Sequence, residues 1–130
     1  MSADIEAAVR AFFGERGASL AAAYLYGSVA RGTARADSDV DLAVLPMLPS
    51  TGTLESLQLD LEGELERRLR KPVQVVVLDT APLDLVHRIL SEGILVHERD
   101  RSRRIDFEVR ARNEYFDMLP ILERYRKRAS

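Results

Sequence analysis

Apolar positions recur along this chain with two different periods, and the alternation between them sets out the elements. Ile5, Val9, Phe12 and Phe13 stand at i, i+4, i+7 and i+8, which predicts an amphipathic helix over 4–16, ended by Gly14 and Gly17. AAAYLYG at 21–27 is a short apolar run stopped by glycine, a buried strand. DVDLAVLP alternates acid and apolar residues up to Pro46, which is strand behaviour. MLPSTGT is composed as a loop. Leu54, Leu57, Leu61, Leu65 and Leu69 form a helical stripe closed by Lys71-Pro72. VQVVVL at 73–78 is a third strand, Pro82 opens a helix that Gly93 ends, and ILVH is a fourth, edge strand. Residues 101–127 are again helical in pattern, with Pro120 expected to kink or divide that helix. The expected class is α/β (α+β): a small mixed sheet flanked by helices, in a single domain, with a core over 1–98 and a C-terminal helical extension over 99–130.

Composition narrows the function classes. A length of 130 residues, 46% hydrophobic and 31% charged, describes one globular domain. The net charge of −2 offers no global attraction to nucleic acid or to an anionic membrane, so no direct nucleic-acid binding is expected. Cysteine is absent, which excludes disulfides and thiolate metal sites and is compatible with the cytoplasm. The N-terminal MSADIEAAVRAFF carries acids where a signal peptide needs a basic start, and no apolar stretch reaches the length of a membrane span. The tail holds ten of the nineteen basic residues at 99–128 against six acids, on a helix that keeps an apolar face. Such a helix docks on its own domain, on a partner, or on both, and an oligomer through it is an expectation.

The chemistry concentrates in 26-YGSVARGTARADSDVDLAV-44. Residues two apart on a strand share a face, so Asp39 and Asp41 project together while Val40, Leu42 and Val44 face the other way. Paired carboxylates repel unless a cation sits between them, and hard oxygen ligands on a rigid strand suit Mg²⁺ completed by substrate phosphate. Gly27 lets a phosphate approach the backbone, where freed N–H groups and the Ser28 hydroxyl can hold it, and Arg31 adds charge on the phosphate side. An exposed polar turn is the plain alternative for Asp37-Ser38-Asp39 alone. GSVARGT has the glycine frame of a P-loop, but Thr33 stands where the phosphate-binding lysine belongs, so it is not a P-loop. His87 and His97 lack metal-ligand spacing and are expected at the surface or an interface. Tyr24 and Tyr26 are expected in the core or a pocket wall, and Tyr115 and Phe116 in packing, with Tyr115 also able to meet a partner.

Gly27-Ser28, ten residues, then Asp39-Val40-Asp41, with Arg31-Gly32 and Ser38 between, resembles the signature of the polymerase-β-like nucleotidyltransferase superfamily, in its minimal (MNT) branch. The chain is similar to the antitoxin half of HEPN–MNT toxin–antitoxin pairs. The resemblance implies the polymerase-β-like nucleotidyltransferase fold and a transfer of AMP from ATP, with one or two Mg²⁺, to a tyrosine of a cognate HEPN ribonuclease. By position, Gly27, Ser28, Arg31 and Ser38 would bind the nucleotide phosphates, and Asp39 and Asp41 would be catalytic and hold the metal. The superfamily usually supplies a third carboxylate from a later strand. Here that strand reads Val73-Gln74-Val75-Val76-Val77-Leu78, and Asp79 is the nearest substitute metal ligand. Two other readings stay open: an antitoxin that acts by binding alone, and a small-molecule nucleotidyltransferase of the aminoglycoside-modifying kind.

Overall fold

The protein was analysed as a computed structural model, which describes residues 2–49 and 54–129. Met1, residues 50–53, Ser130 and the side chains of Ser2, Leu54, Glu55 and Ala129 lie outside the described set, and with them most of the segment expected as a loop.

Helix α1 spans Ser2–Arg16 and passes through a short 3-10 turn, Gly17–Ser19, into strand β1, Leu20–Tyr26. Helix α2 is a five-residue element, Gly27–Arg31, followed by β2, Val40–Pro46, and α3, Leu54–Leu69. Strand β3, Val73–Val77, runs into a second 3-10 turn, Leu78–Thr80, then α4, Leu83–Glu92, β4, Ile94–Glu98, and α5, Arg101–Ala129. The four strands form one sheet in the order β3-β2-β1-β4. β1 pairs antiparallel with β2 and with β4, and β2 pairs parallel with β3, so the sheet is mixed and β4 lies at its edge. The parallel pair needs a crossover, which α3 supplies.

Every residue of β1 is buried, because both faces of the sheet are covered. On one face Ile5, Val9, Phe12 and Phe13 of α1 and Leu61 and Leu65 of α3 pack on Val40, Leu42, Val44, Val73, Val75 and Val77. On the other, Val86 and Ile89 of α4 and Phe107 and Ala111 of α5 pack on Tyr24, Tyr26, Ala43 and Leu45. The period of two in β2 and β3 therefore decides which side chains go to which layer.

Three expectations are corrected. Gly14 does not end α1: it faces open space within the helix, where glycine costs only about 1 kcal/mol relative to alanine. Pro120 does not divide the last helix, since α5 continues unbroken around it. Phe116, whose carbonyl loses its i+4 donor to Pro120, is exposed, so water can satisfy that oxygen. His97 is not a surface histidine. It is half-buried, with Nε2 within 3.0 Å of the Gly17 carbonyl oxygen and 3.3 Å of that of Leu20, and its ring stacks on Phe13. A Cβ on residue 17 would stand 2.5 Å from the same ring nitrogen, which is why a glycine sits there.

Candidate active site

The motif residues converge at one end of the sheet. β1 terminates at Tyr26, and the chain turns through Gly27 at φ 74° into α2. Gly32, at φ 73°, closes that short helix, with the Thr33 N–H donating to the Ser28 carbonyl at 2.9 Å. The left-handed backbone at Gly27 and Gly32 favours glycine on steric grounds. A Cβ on residue 27 would also run into Oδ2 of Asp41, so the glycine makes room for that carboxylate.

Asp41 sits in the middle of a row across three strands, in register with Tyr26 of β1 and Gln74 of β3. Its neighbours Val40 and Leu42 belong to the α1/α3 layer, which turns Asp41 toward the side of α4. Asp39 precedes the first residue of β2 and is exposed. Burial first, and the charge of Asp39 second, push the Asp41 carboxyl above its usual range, while Arg88 and Arg31 pull it down. The Tyr26 hydroxyl is likewise raised, by burial and by the Asp41 charge. Ser28 is half-buried and Arg31 exposed at the same end. Ser38 is half-buried too, and its Oγ accepts the Arg35 N–H at 2.7 Å, so this hydroxyl also shapes its own loop. Lys71 fastens that loop by donating to the Ala36 carbonyl at 2.7 Å.

Asp79 is not brought to the pair. It lies in the 3-10 turn after β3, whereas Gln74 of the same strand is what stands beside Asp41. Three residues of strand, roughly 10 Å, separate Gln74 from Val77 before that turn begins. Asp79 instead faces Arg103 of α5, with Nη2 to Oδ2 at 3.7 Å, in a separate cavity of about 360 Å³ walled by Leu83, Val86 and Phe107.

This arrangement falls inside a segment with a clear relative: the family model described as polymerase beta nucleotidyltransferase matches residues 10–102. The chain belongs to the polymerase beta nucleotidyltransferase family. Solved structures with the same architecture include a toxin–antitoxin complex with AMP-PNP, 21% identical, TM-score 0.71, covering 92% of this chain and 97% of that one. The toxin–antitoxin MntA–HepT matches at 18% identity and TM-score 0.63, over 93% and 96% of the two chains. A tri-AMPylated Shewanella oneidensis HEPN toxin in complex with its MNT antitoxin matches at 18% identity and TM-score 0.66, over 96% and 98%. At such identities the likeness is one of fold. No curated protein sequence matches the chain.

For a nucleotidyltransferase of this family, the donor set at Asp39 and Asp41 fits a divalent cation. Asp41, raised first by its partial burial and then by the charge of Asp39, is the kind of group a hard cation relieves. Two carboxylates are the usual protein share for Mg²⁺. Among the described residues no group of three or more histidine, cysteine, aspartate or glutamate side chains assembles, in keeping with Gln74 at the third position of the row.

No site role is expected from the sequence for Arg88 or for Glu92. Both come from the last turn and a half of α4, brought beside α2 because β4 follows α4 directly and pairs with the end of β1, Leu25 opposite Ile94. Their i, i+4 spacing was visible, but it marks most exposed helix faces and carries no address. His87, the neighbour of Arg88, stacks flat on Tyr115 of α5 with ring centroids 3.6 Å apart, so the tyrosine packs within the chain.

Proposed function

We propose that the protein transfers AMP from ATP to a tyrosine hydroxyl of a cognate HEPN ribonuclease toxin and silences it. The supporting observation is the approach of the Asp41 carboxylate to Gly27, which sets one member of the acidic pair directly against a glycine turn able to admit phosphate. The triphosphate lies over Gly27 and Ser28, with Arg31 on its phosphate side and Ser38 at the loop that carries the acids. The acceptor oxygen attacks the α-phosphorus in line, the bond to the bridging oxygen of the β-phosphate breaks, and pyrophosphate leaves with that electron pair. Asp39 and Asp41 would hold Mg²⁺, which would supply neutralisation of the charge on the α-phosphate and the leaving group. Gln74 accepts no proton, so the hydroxyl proton passes to solvent or to the acceptor protein. The chain's contribution is positioning and electrostatics, without a covalent enzyme intermediate.

Gln74 also favours a second reading. With an amide in register with Asp41, the site binds nucleotide weakly or idles, and the protein neutralises its toxin by contact. In either case the partner surface is the distal part of α5, where Phe116, Met118, Ile121 and Tyr125 are exposed beyond the half of the helix that packs on the core.

The deciding experiment measures transfer of labelled AMP from ATP with Mg²⁺ to the product of the adjacent gene, for this protein and for the Asp39→Ala, Asp41→Ala double variant. Label on the partner that vanishes in the double variant is expected. A partner that stays unlabelled yet bound and inactive would replace the transferase reading with the binding one.

A further inference from the structure

Beside Asp41, two guanidinium groups converge on one carboxylate. Glu92, the last residue of α4, forms ion pairs through Oε2 with Arg31 Nη1 of α2 at 3.6 Å and with Arg88 Nε of its own helix at 3.5 Å. The meeting point is fixed by the backbone. A Cβ on residue 93 would fall 2.5 Å from the Ile89 carbonyl oxygen of the same helix and 3.4 Å from that of Leu25, so α4 ends in contact with the last residues of β1 before Gly27. Arg88 is thereby held on the Asp41 side of the sheet, where its charge reaches both the Asp41 carboxylate and the Tyr26 hydroxyl.

The three side chains are between two-fifths and just over half exposed, at 47%, 43% and 53% for Arg31, Glu92 and Arg88. Ion pairs in that setting add little to stability, because water and salt screen them and two long side chains must be ordered. The cluster is also geometrically loose, with single contacts at 3.5 and 3.6 Å instead of a paired fork at hydrogen-bond distance. Two arginines weakly held by one acid, at the mouth of a glycine turn, are poised to exchange that acid for a better anion. The phosphates of a nucleoside triphosphate carry more charge than a carboxylate and match the planar guanidinium fork.

We propose that Arg88 is a second triphosphate-binding residue of this site: it and Arg31 leave Glu92 to take the β- and γ-phosphates, which become the departing pyrophosphate. The assignment rests on reading the site as an ATP site. It adds a residue from α4, more than fifty positions from the Gly27-Ser28 turn, to the machinery that the motif supplies from one stretch of chain.

The test is a calorimetric titration of ATP and, separately, of AMP into the wild type, Arg88→Ala and Arg88→Lys, each with Mg²⁺. Arg88→Ala is expected to weaken ATP by roughly tenfold to a hundredfold, the usual loss for one charge-assisted contact, while AMP changes less than about twofold. Arg88→Lys, which keeps the charge and loses the fork, recovers part of the ATP affinity. Because the side chain is half-exposed, the melting temperature of all three proteins should agree. An Arg88→Ala variant that binds ATP as the wild type does, or that loses ATP and AMP equally, overturns the assignment and leaves the ATP site standing. A wild type that binds neither nucleotide fails at the earlier step, and both readings go with it.

Discussion

Asp41 is held where ionisation is costly, between Tyr26 and Gln74 and close to a second acid. The stability consequence has a definite sign. A carboxyl whose folded pKa lies above its unfolded one helps the fold only while protonated, so its favourable share is complete below the unfolded value near 3.8 and is lost as pH rises through the folded value. At neutral pH the ionised group works against folding. Asp41→Asn should therefore melt a few degrees higher than the wild type at pH 7 while lowering the proposed AMP transfer by at least about a hundredfold, the loss expected when a charged group leaves a phosphoryl-transfer site. The gain in melting temperature should shrink to nothing as the pH falls below the ordinary carboxylate range. A thermal-melt series from pH 3 to pH 8 reads this directly, and equal melting curves at pH 7 would mean that the cost at Asp41 is absent. The pairing of Asp39 with Asp41 was legible from their spacing. The weight of Arg88 on the same carboxylate was not, because it depends on how α4 lies over β2.

At the scale of elements, the junction of α4 and β4 does more than join them. Gly93 has an ordinary negative φ of −76°, so nothing in its backbone angle demands glycine; what demands it is the Ile89 and Leu25 carbonyl oxygens. Gly93→Ala should cost about 1–3 kcal/mol, the usual range for overpacking a tight contact, in a denaturant titration. It should also disturb nucleotide binding, since Arg88 and Glu92 move with the end of α4. A stability equal to the wild type would show that the junction relaxes freely. Strand and helix identities followed well from the sequence, because the period of two in DVDLAVLP and the leucine spacing of α3 each reflect which layer the side chains enter. Two expectations fail where local signals compete with context: Gly14 lies in a helix long enough to absorb it, and α5 is not divided at Pro120, where the carbonyl left without its donor belongs to the exposed Phe116. His97 was misjudged because its Gly17, Leu20 and Phe13 neighbours come from the other end of the chain.

At the scale of the whole molecule, α5 belongs to two environments. Its first half is tied in: Tyr24 donates to Glu108 at 2.8 Å, Arg104 pairs with Glu98 and Glu108, and Ala111 is buried in the layer shared with α4. Beyond Tyr115 the helix leaves this layer, and Phe116 and Tyr125 are 66% and 69% exposed. Large apolar side chains left exposed along such a helix mark an interaction surface. Phe116→Ser combined with Tyr125→Ala should leave the melting temperature unchanged and weaken binding of the proposed toxin partner at least tenfold, measured by co-purification and by calorimetry. A drop in melting temperature with binding intact would assign these residues to the fold instead.

The sequence by itself determined the two layers of apolar side chains, the order of elements, and the acidic pair facing a glycine turn, because each of these is a matter of periodicity or of neighbours along the chain. Only the tertiary structure decided that Gln74 stands in the row with Asp41, that Asp79 lies in the turn beyond the far end of its strand, and that Arg88 and Glu92 join Arg31. Strand register and the seating of α4 are settled by packing between distant segments, and no local pattern encodes which residues those contacts bring together.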